Sequence, residues 1–298
     1  MKILFVTFDH ITVNQNGATV YHQNFAKELV SRGHEVMFVC NNLNSEKVFE
    51  NIKAEGFGIC GDYYIGYYRW CDLIITVPGK MRSNPLNKPI VFIQHNQSKE
   101  PWSVKDHRVI YCAQHVKDSV NYECMDSRVF WPFNRYAGTI PLPDNEGGAV
   151  MLINCNQNKG GGLLEGLAKQ NPDRQFIGVH AGYNTQITGK ADNLRYIKGS
   201  YNITEMLSLA ALLIMPSLKE GMPTLALEAM SLGVPVLGSN IPAFKELGIG
   251  GRVYHHFGER LGYHLRCYQF NRQHHLEIIN KHEAERDTDG LVEWLINI

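Results

Sequence analysis

Met215-Pro216-Ser217-Leu218-Lys219-Glu220-Gly221-Met222-Pro223-Thr224-Leu225-Ala226-Leu227-Glu228-Ala229-Met230 begins at the end of an apolar run and finishes inside a helix. A strand ends at Pro216, a tight turn follows at Gly221, and Pro223 suits the first turn of a helix, where its missing N–H costs nothing. The backbone N–H groups of Met222 and Thr224 then point outward from a helix N-terminus, an end that suits phosphate. Glu220 lies just before that end and Glu228 lies within the helix, so two carboxylates flank a place for a diphosphate without occupying it. Carboxylates accept hydrogen bonds from neutral hydroxyls, and sugar hydroxyls on one side with ribose hydroxyls on the other would satisfy both.

Around this stretch the pattern is that of an α/β domain. Strands are expected at Val150 to Asn154, Gln175 to His180, Leu194 to Lys198, Ala211 to Met215 and Val234 to Gly238, with helical segments between them. The first half has the same rhythm, in Ile3 to Phe8, Val20 to Ser31, Glu35 to Cys40, Leu73 to Val77, Ile90 to Gln94 and Arg108 to Cys112. Phe25 and Leu29 share a helical face that docks on the sheet, and Gly33 ends that helix. From Trp131 to Gly148 prolines and glycines crowd around few apolar residues, as in an interdomain linker. After Gly258 the chain turns long, polar and helix-favouring, and Leu291, Trp294 and Leu295 need a surface to bury against, which the first domain offers. The expected division is 1–135, a linker 136–148, a second α/β domain 149–258, and a helical segment 259–298 that returns to the first domain.

The 298 residues, 44% of them hydrophobic, are enough for two cores. Lysine plus arginine and aspartate plus glutamate number 29 each, so no global field draws the chain to nucleic acid or an anionic membrane. The apolar start reaches Asp9 and His10 before it could serve as a signal-peptide core, and no apolar stretch is long enough for a transmembrane helix. The seven cysteines are scattered and never in C-x-x-C spacing, which suits a reducing cytoplasm and small buried side chains rather than zinc or redox chemistry.

Glu220 and Glu228, with Gly221, Pro223, Ala229 and Met230, resemble the E-G-[FM]-P-x-x-x-x-E-A-M signature of glycosyltransferase family 4. The likeness extends through Gly233-Val234-Pro235-Val236, similar to that family's G-x-P-V strand, and Lys245-Glu246-Leu247 sits where the family has its P-E-[LIV] turn. The resemblance implies a GT-B fold, two Rossmann-like domains facing a central cleft. It implies that Glu220 holds the transferred sugar and Glu228 the ribose of a nucleotide sugar. Gly221, Met222, Pro223 and Thr224 form the donor-binding turn.

A second match is Leu152-Ile153-Asn154-Cys155-Asn156-Gln157-Asn158-Lys159-Gly160-Gly161. Lys159 resembles the family's pyrophosphate-binding lysine, whose cation offsets charge growing on the leaving diphosphate; the plainer reading is an exposed loop lysine. The family usually places an arginine about five residues before this lysine, and here that position is near Asn154. Gly17-Ala18-Thr19 after the Asp9 to Gly17 loop, with Arg32-Gly33-His34-Glu35-Val36, is similar to the family's glycine loop and R-G-H-E-V strand entry, though a plain strand-to-helix turn would look the same. His95 follows an apolar strand, where open α/β sheets place ligands, and family members have a histidine there that contacts the sugar. The donor base is expected against loops after Gly178 to Gly182 and near Tyr196, Ile197 and Lys198.

His255, His256, His264, His274, His275 and His282 have no H-E-x-x-H or cysteine partner set, and no metal or other cofactor is expected beyond a donor substrate, taken as UDP-linked. The resemblance implies a retaining hexosyl- or pentosyltransferase in which Glu220 and His95 orient the sugar and Lys159 stabilises the departing diphosphate. The acceptor is a hydroxyl of a glycan, a small molecule or a hydroxylated DNA base. A GT-B nucleotide-sugar epimerase and a non-catalytic sugar-nucleotide-binding protein are the alternatives. The DNA reading comes from aromatics (Tyr63, Tyr64, Tyr67, Tyr68, Trp70, Trp102) interleaved with cations (Arg69, Lys80, Arg82, Lys88, Lys99, Lys105, Arg108), for which core aromatics and solvated lysines are the favoured explanation. It also draws on the chain's compactness, similar to that of virus-borne glycosyltransferases; a virus-encoded enzyme would work in the host cytoplasm.

Overall fold

Strands buried on both faces, rather than on alternate residues, are the mark of a parallel sheet covered by helices. That pattern recurs along the computed structural model of the chain, whose described residues are 1–6, 17–40, 58–61, 65–78, 84, 86–98, 104–120, 122–181, 184–200, 202–249 and 272–297. The residues divide into two units, Met1–Phe133 with Asp287–Ile298, and Asn134–Arg286.

The first unit holds β1 (Lys2–Val6), β2 (Glu35–Cys40), β3 (Gly58–Gly61), β4 (Leu73–Thr76), β5 (Ile90–Gln94), β6 (Arg108–Tyr111) and β7 (Asp126–Val129). They form one parallel sheet in the order β3-β2-β1-β4-β5-β6-β7. Its helices are α1 (Gly17–Ser31), α2 (Ile65–Trp70) and α3 (Gln114–Val120). α1 buries Tyr21, Phe25 and Leu29 completely, and Phe25 meets Phe5 of β1 edge-on. α1 stops where expected: Gly33 has φ +83°, its N–H donates to Val30 O, and His34 N–H donates to Leu29 O, the paired closure a left-handed residue permits.

The second unit repeats the plan with β8 (Ala149–Ile153), α4 (Leu164–Gln170), β9 (Phe176–His180), β10 (Leu194–Lys198), α5 (Ile203–Leu207), β11 (Ala210–Met215), α6 (Thr224–Ser231), β12 (Val236–Gly238), α7 (Pro242–Glu246) and α8 (Arg272–Ala284). Its parallel sheet runs β10-β9-β8-β11-β12. Val150, Leu152, Leu164, Leu167, Phe176, Leu212 and Ile214 make one core cluster under it. In this strand order the chain leaves the first strand in one direction and returns to its other side, so a crevice opens beyond the carboxyl ends of β8 and β11.

α9 (Thr288–Ile296) carries the terminal apolar residues and belongs to the first unit, which supplies the surface that they require. Leu291 and Leu295 are fully buried, Trp294 Nε1–H donates to Asp126 Oδ2 at 2.5 Å, and Arg108 donates to the Trp294 and Asn297 carbonyls. The expected strand at Val234 starts two residues later, at Val236. Val234 N–H is spent on closing α6, donating to Ala229 O. β3 and β7 were not expected from the sequence. β7 is polar and half-exposed, and only its pairing to β6 makes it a strand. Of the long polar helical segment expected from residue 259, the described part is α8; residues 259–271 lie outside the described residues.

Candidate functional site in the second unit

The loops that leave β8 and β11 meet at the switch point. After β8, Asn154 takes φ +67° and its N–H donates to Val179 O, so the chain turns off the sheet at once. Asn156 then caps a 3-10 turn, Gln157–Lys159, its Oδ1 accepting from Lys159 N–H at 3.0 Å. Gly160 follows at φ +84°, pressed against Pro216: a Cβ at this position would lie 3.1 Å from Pro216 O. Leu218 N–H donates to Asn158 O at 3.0 Å, tying the loop after β11 to the loop after β8. These contacts bring Lys159 Nζ to Glu220 Oε1, an ion pair with side chains 19% and 11% exposed. The family-like lysine and glutamate, far apart in sequence, thus stand together.

α6 starts beside them. Pro223 is its N-cap (φ −76°, ψ 89°) rather than its first helical residue, and no side chain caps the end. The reason is visible in the bonding: Pro223 O already accepts from Ala226 N–H and Leu227 N–H, so the residue stands half outside the helix. Met222 and Pro223 are buried, while Gly221 and Thr224 remain partly accessible.

Glu228 sits one turn further on, 7% exposed. Arg135 Nε lies 2.9 Å from its Oε1, an ion pair in which the buried oxygen has no well-aligned hydrogen bond. Burial pushes the Glu228 carboxyl above the ordinary range, and the Arg135 cation pulls against it without cancelling it. Other buried polar atoms at the carboxyl edge of this sheet have no partner, among them Ser217 Oγ after β11, Asn240 Oδ1 after β12 and His180 Nε2 at the end of β9. His180 lies against the Tyr196 ring, centroids 4.9 Å apart. Unsatisfied buried polar atoms are rare in native structures, and in a crevice they are places where water, an ion or a polar ligand completes the bonding.

Asn154 is fixed more tightly than its sequence suggests. Its Oδ1 accepts from both Asn156 Nδ2 and Gln186 Nε2, each at 2.9 Å. The amide stands where an arginine was expected and is held by two other amides. Ile197 is the penultimate residue of β10, partly accessible.

Gly17 and His95 belong to the first unit. Gly17 is the exposed first residue of α1; the rest of its loop, 9–16, lies outside the described residues. His95 follows β5, and its Nε2 is 2.9 Å from His22 Nε2 of α1. Burial pushes His95 down to about 4 and, with the neighbouring His95, His22 well below its usual value, so at neutral pH one uncharged imidazole donates to the other.

Among the described residues no group of three or more His, Cys, Asp or Glu could hold a metal ion, and His255, His256 and His264 lie outside them. Of the aromatic and cationic residues read as a DNA surface, Tyr63, Tyr64, Lys80, Arg82, Lys99 and Trp102 also lie outside. Tyr68 is core, Lys88 Nζ donates to Cys71 O and Arg108 caps α9, while Lys105 pairs with Glu123 at the surface.

Known proteins can now be set beside this geometry. Residues 183–251 match the model of the family Glycosyl transferases group 1. The sequence has no match among the curated proteins. Among solved structures, the glycosyltransferase from Rickettsia africae is similar over 95% of this chain and 97% of its own, with 12% identity and a TM-score of 0.65. TarM from S. aureus, in complex with fondaparinux, alpha-GlcNAc-glycerol and UDP, is similar over 99% of both chains, with 12% identity and a TM-score of 0.76. The pneumococcal O-GlcNAc transferase GtfA, in complex with UDP and GlcNAc, is similar over 99% of this chain and 97% of its own, with 10% identity and a TM-score of 0.67. The fold is GT-B. Together the segment match and the fold support a glycosyltransferase.

On the GT-B frame, three contributors had no signal in the sequence. Arg135 reaches Glu228, His22 reaches His95 and Gln186 reaches Asn154 across 93, 73 and 32 positions. A partner that distant is visible only once the strands are ordered.

Proposed function

We propose that this chain is a retaining glycosyltransferase that moves a sugar from a nucleoside-diphosphate donor, taken as UDP-linked, to a hydroxyl acceptor. The observation that carries the reading is the convergence of Lys159, Glu220 and the uncapped start of α6 at the β8/β11 switch point, with Glu228 buried one turn along the same helix. The diphosphate would lie at the helix start and draw Lys159 Nζ to itself, releasing Glu220 to accept from sugar hydroxyls. Glu228 would accept from the ribose hydroxyls. The leaving diphosphate gains charge as the glycosidic bond breaks, and a lysine with oriented backbone N–H groups stabilises that charge in place. Transfer would proceed by front-face attack, the departing phosphate helping to take the acceptor proton, with the anomeric configuration kept. His95 would orient the sugar, and no metal would be needed. The two TarM and GtfA structures contain UDP, which supports a uridine donor. The proposed acceptors are glycans and small hydroxylated molecules, and the proposed setting is the cytoplasm.

A panel of nucleotide sugars incubated with the full chain and candidate acceptors tests the reading. Donor consumption with an α-linked product from an α-linked donor is the expected result. Epimerised donor without transfer would replace it with the epimerase reading, and donor binding without turnover would leave a sugar-nucleotide-binding protein.

A further inference from the structure

We propose that Arg135 is a positioning residue for the donor, holding Glu228 as the ionised carboxylate that accepts the ribose hydroxyls. The proposal rests on the ribose reading of Glu228 given above.

A carboxyl in the interior of a helix-packed sheet is driven toward its neutral form, and a neutral carboxyl offers a hydroxyl ligand a weaker acceptor than a carboxylate does. Glu228 is in that position: it is 7% exposed, and burial raises it. The opposing influence on it is Arg135, with Nε 2.9 Å from Oε1. The arginine supplies charge at an oxygen that has no well-aligned hydrogen bond, although the 2.9 Å approach itself favours the ionised form. A buried acceptor with a cation beside it and unfilled hydrogen-bonding capacity is prepared for a hydroxyl.

The arginine is itself held. Its guanidinium lies over the Tyr136 ring, 4.9 Å from the centroid. The preceding residue, Asn134, is 9% exposed and donates through Nδ2 to Leu227 O at 3.1 Å and to Ser231 Oγ at 2.6 Å, both on α6. Asn134 Oδ1 accepts from Tyr136 N–H. Residues 134–136 are therefore stitched to the helix that carries Glu228, and the cation's place is set by the backbone on both sides of it.

Several charged groups on the elements around α6 pair with residues other than Glu228, and Lys219 in the loop before it is exposed. On α8, Arg272 donates to Leu142 O and pairs with Asp144, and His275 Nδ1 accepts from Val236 N–H. β12 has no titratable side chain, and in the loop after β11 Glu220 is paired with Lys159. Among the described residues, Arg135 is the cation paired with Glu228.

The test compares UDP with 2′,3′-dideoxy-UDP by calorimetry on the full chain, from about pH 6 to about pH 9, in wild type, Arg135→Gln and Arg135→Lys. The ratio of the two affinities isolates the ribose hydroxyls and cancels ionisation of the phosphate, which both probes share. Wild type is expected to prefer UDP by a constant factor. In R135Q the preference should fall about tenfold or more at the acid end and return as pH rises and the carboxyl ionises, while R135K keeps it within about threefold throughout. A flat, wild-type ratio in R135Q overturns the proposal, as does equal weakening of both probes, which would make Arg135 a structural residue only. If R135Q does not fold, R135K carries the test, and loss of its preference overturns the role of charge. Wild type that does not distinguish the two probes refutes the ribose reading of Glu228 itself, a result distinct from the others.

Discussion

Lys159 Nζ and Glu220 Oε1 are paired across 61 residues of sequence, between the loops that follow two neighbouring strands. Neither charge is exposed enough to be a solvated surface group. Removing one partner of a pair this little exposed leaves the other charge largely desolvated, so each replacement should cost about 1–3 kcal/mol. Lys159→Met should lower kcat about 10²–10³-fold, the cost of removing one preorganised group from a developing anion. Glu220→Ala should abolish transfer with the fold intact. Steady-state kinetics beside thermal unfolding checks both, and unchanged turnover in E220A would sink the site.

Acid should destabilise the second unit through His275. It is 3% exposed, burial pushes it down to about 4, and its Nδ1 accepts from Val236 N–H at 3.2 Å. Protonation would place a second donor against that N–H. The folded value lies below the unfolded one of 6.5, so the unfolded state binds more protons between the two. Stability is thus full above 6.5, falls as pH drops toward 4 and levels off below it. The limit for one such histidine is about 3 kcal/mol. Urea unfolding at a series of pH values should show this slope, and His275→Gln, which keeps an acceptor without a basic nitrogen, should reduce it by the His275 share, leaving what His22, His95 and His282 contribute.

The terminal helix gives a direct measure of its own docking. Trp294 is 8% exposed, has the Arg108 and Arg128 guanidiniums 5.1 and 5.7 Å from its ring centroid, and donates to Asp126. That hydrogen bond is the leading reason the Asp126 carboxyl sits below its ordinary range. Trp294→Ala should cost about 3–5 kcal/mol, the usual loss for a large buried aromatic. Chemical denaturation measures it, and a loss under about 1 kcal/mol would show that the ring packs more loosely than its burial implies.

These relationships divide by how local their causes are. Gly33, Pro223, Glu220 and Glu228 announce themselves because a turn, a cap or a carboxylate pair is encoded within a few adjacent residues. The apolar runs of β1, β4, β5 and β11 are legible for the same reason, since a doubly covered strand is apolar throughout. β7, Asp-Ser-Arg-Val, is not legible, because its strand character comes from β6 on one side and α9 above it. Arg135 is invisible for a related reason: nothing near it in sequence says that α6 will lie beside it. At Asn154 the sequence shows a missing arginine, and the structure adds the Asn156 and Gln186 amides that hold what replaced it.

Gly160 and Gly33 provide a matched pair for the last prediction. Both have a left-handed backbone, φ +84° and +83°, so alanine at either position meets the same conformational penalty, about 1 kcal/mol. They differ in their surroundings. A Cβ on Gly33 would meet nothing within 4 Å, whereas one on Gly160 would lie 2.5 Å from Pro216 Cγ and 3.1 Å from Pro216 O. Pro216 is rigid and ends the strand that carries the Glu220 loop, so it cannot yield as a flexible side chain would. The clash should add about 1–3 kcal/mol, and the relief open to the chain is to move the Lys159 turn away from Pro216. Gly33→Ala should lower stability slightly and leave transfer at wild-type rates. Gly160→Ala should lower stability by about 2–4 kcal/mol and also reduce kcat in the protein that remains folded. Kinetics on the folded fraction, with denaturant melts of both variants, separates the two effects; equal losses in stability and activity would mean that the contact with Pro216 does not place Lys159.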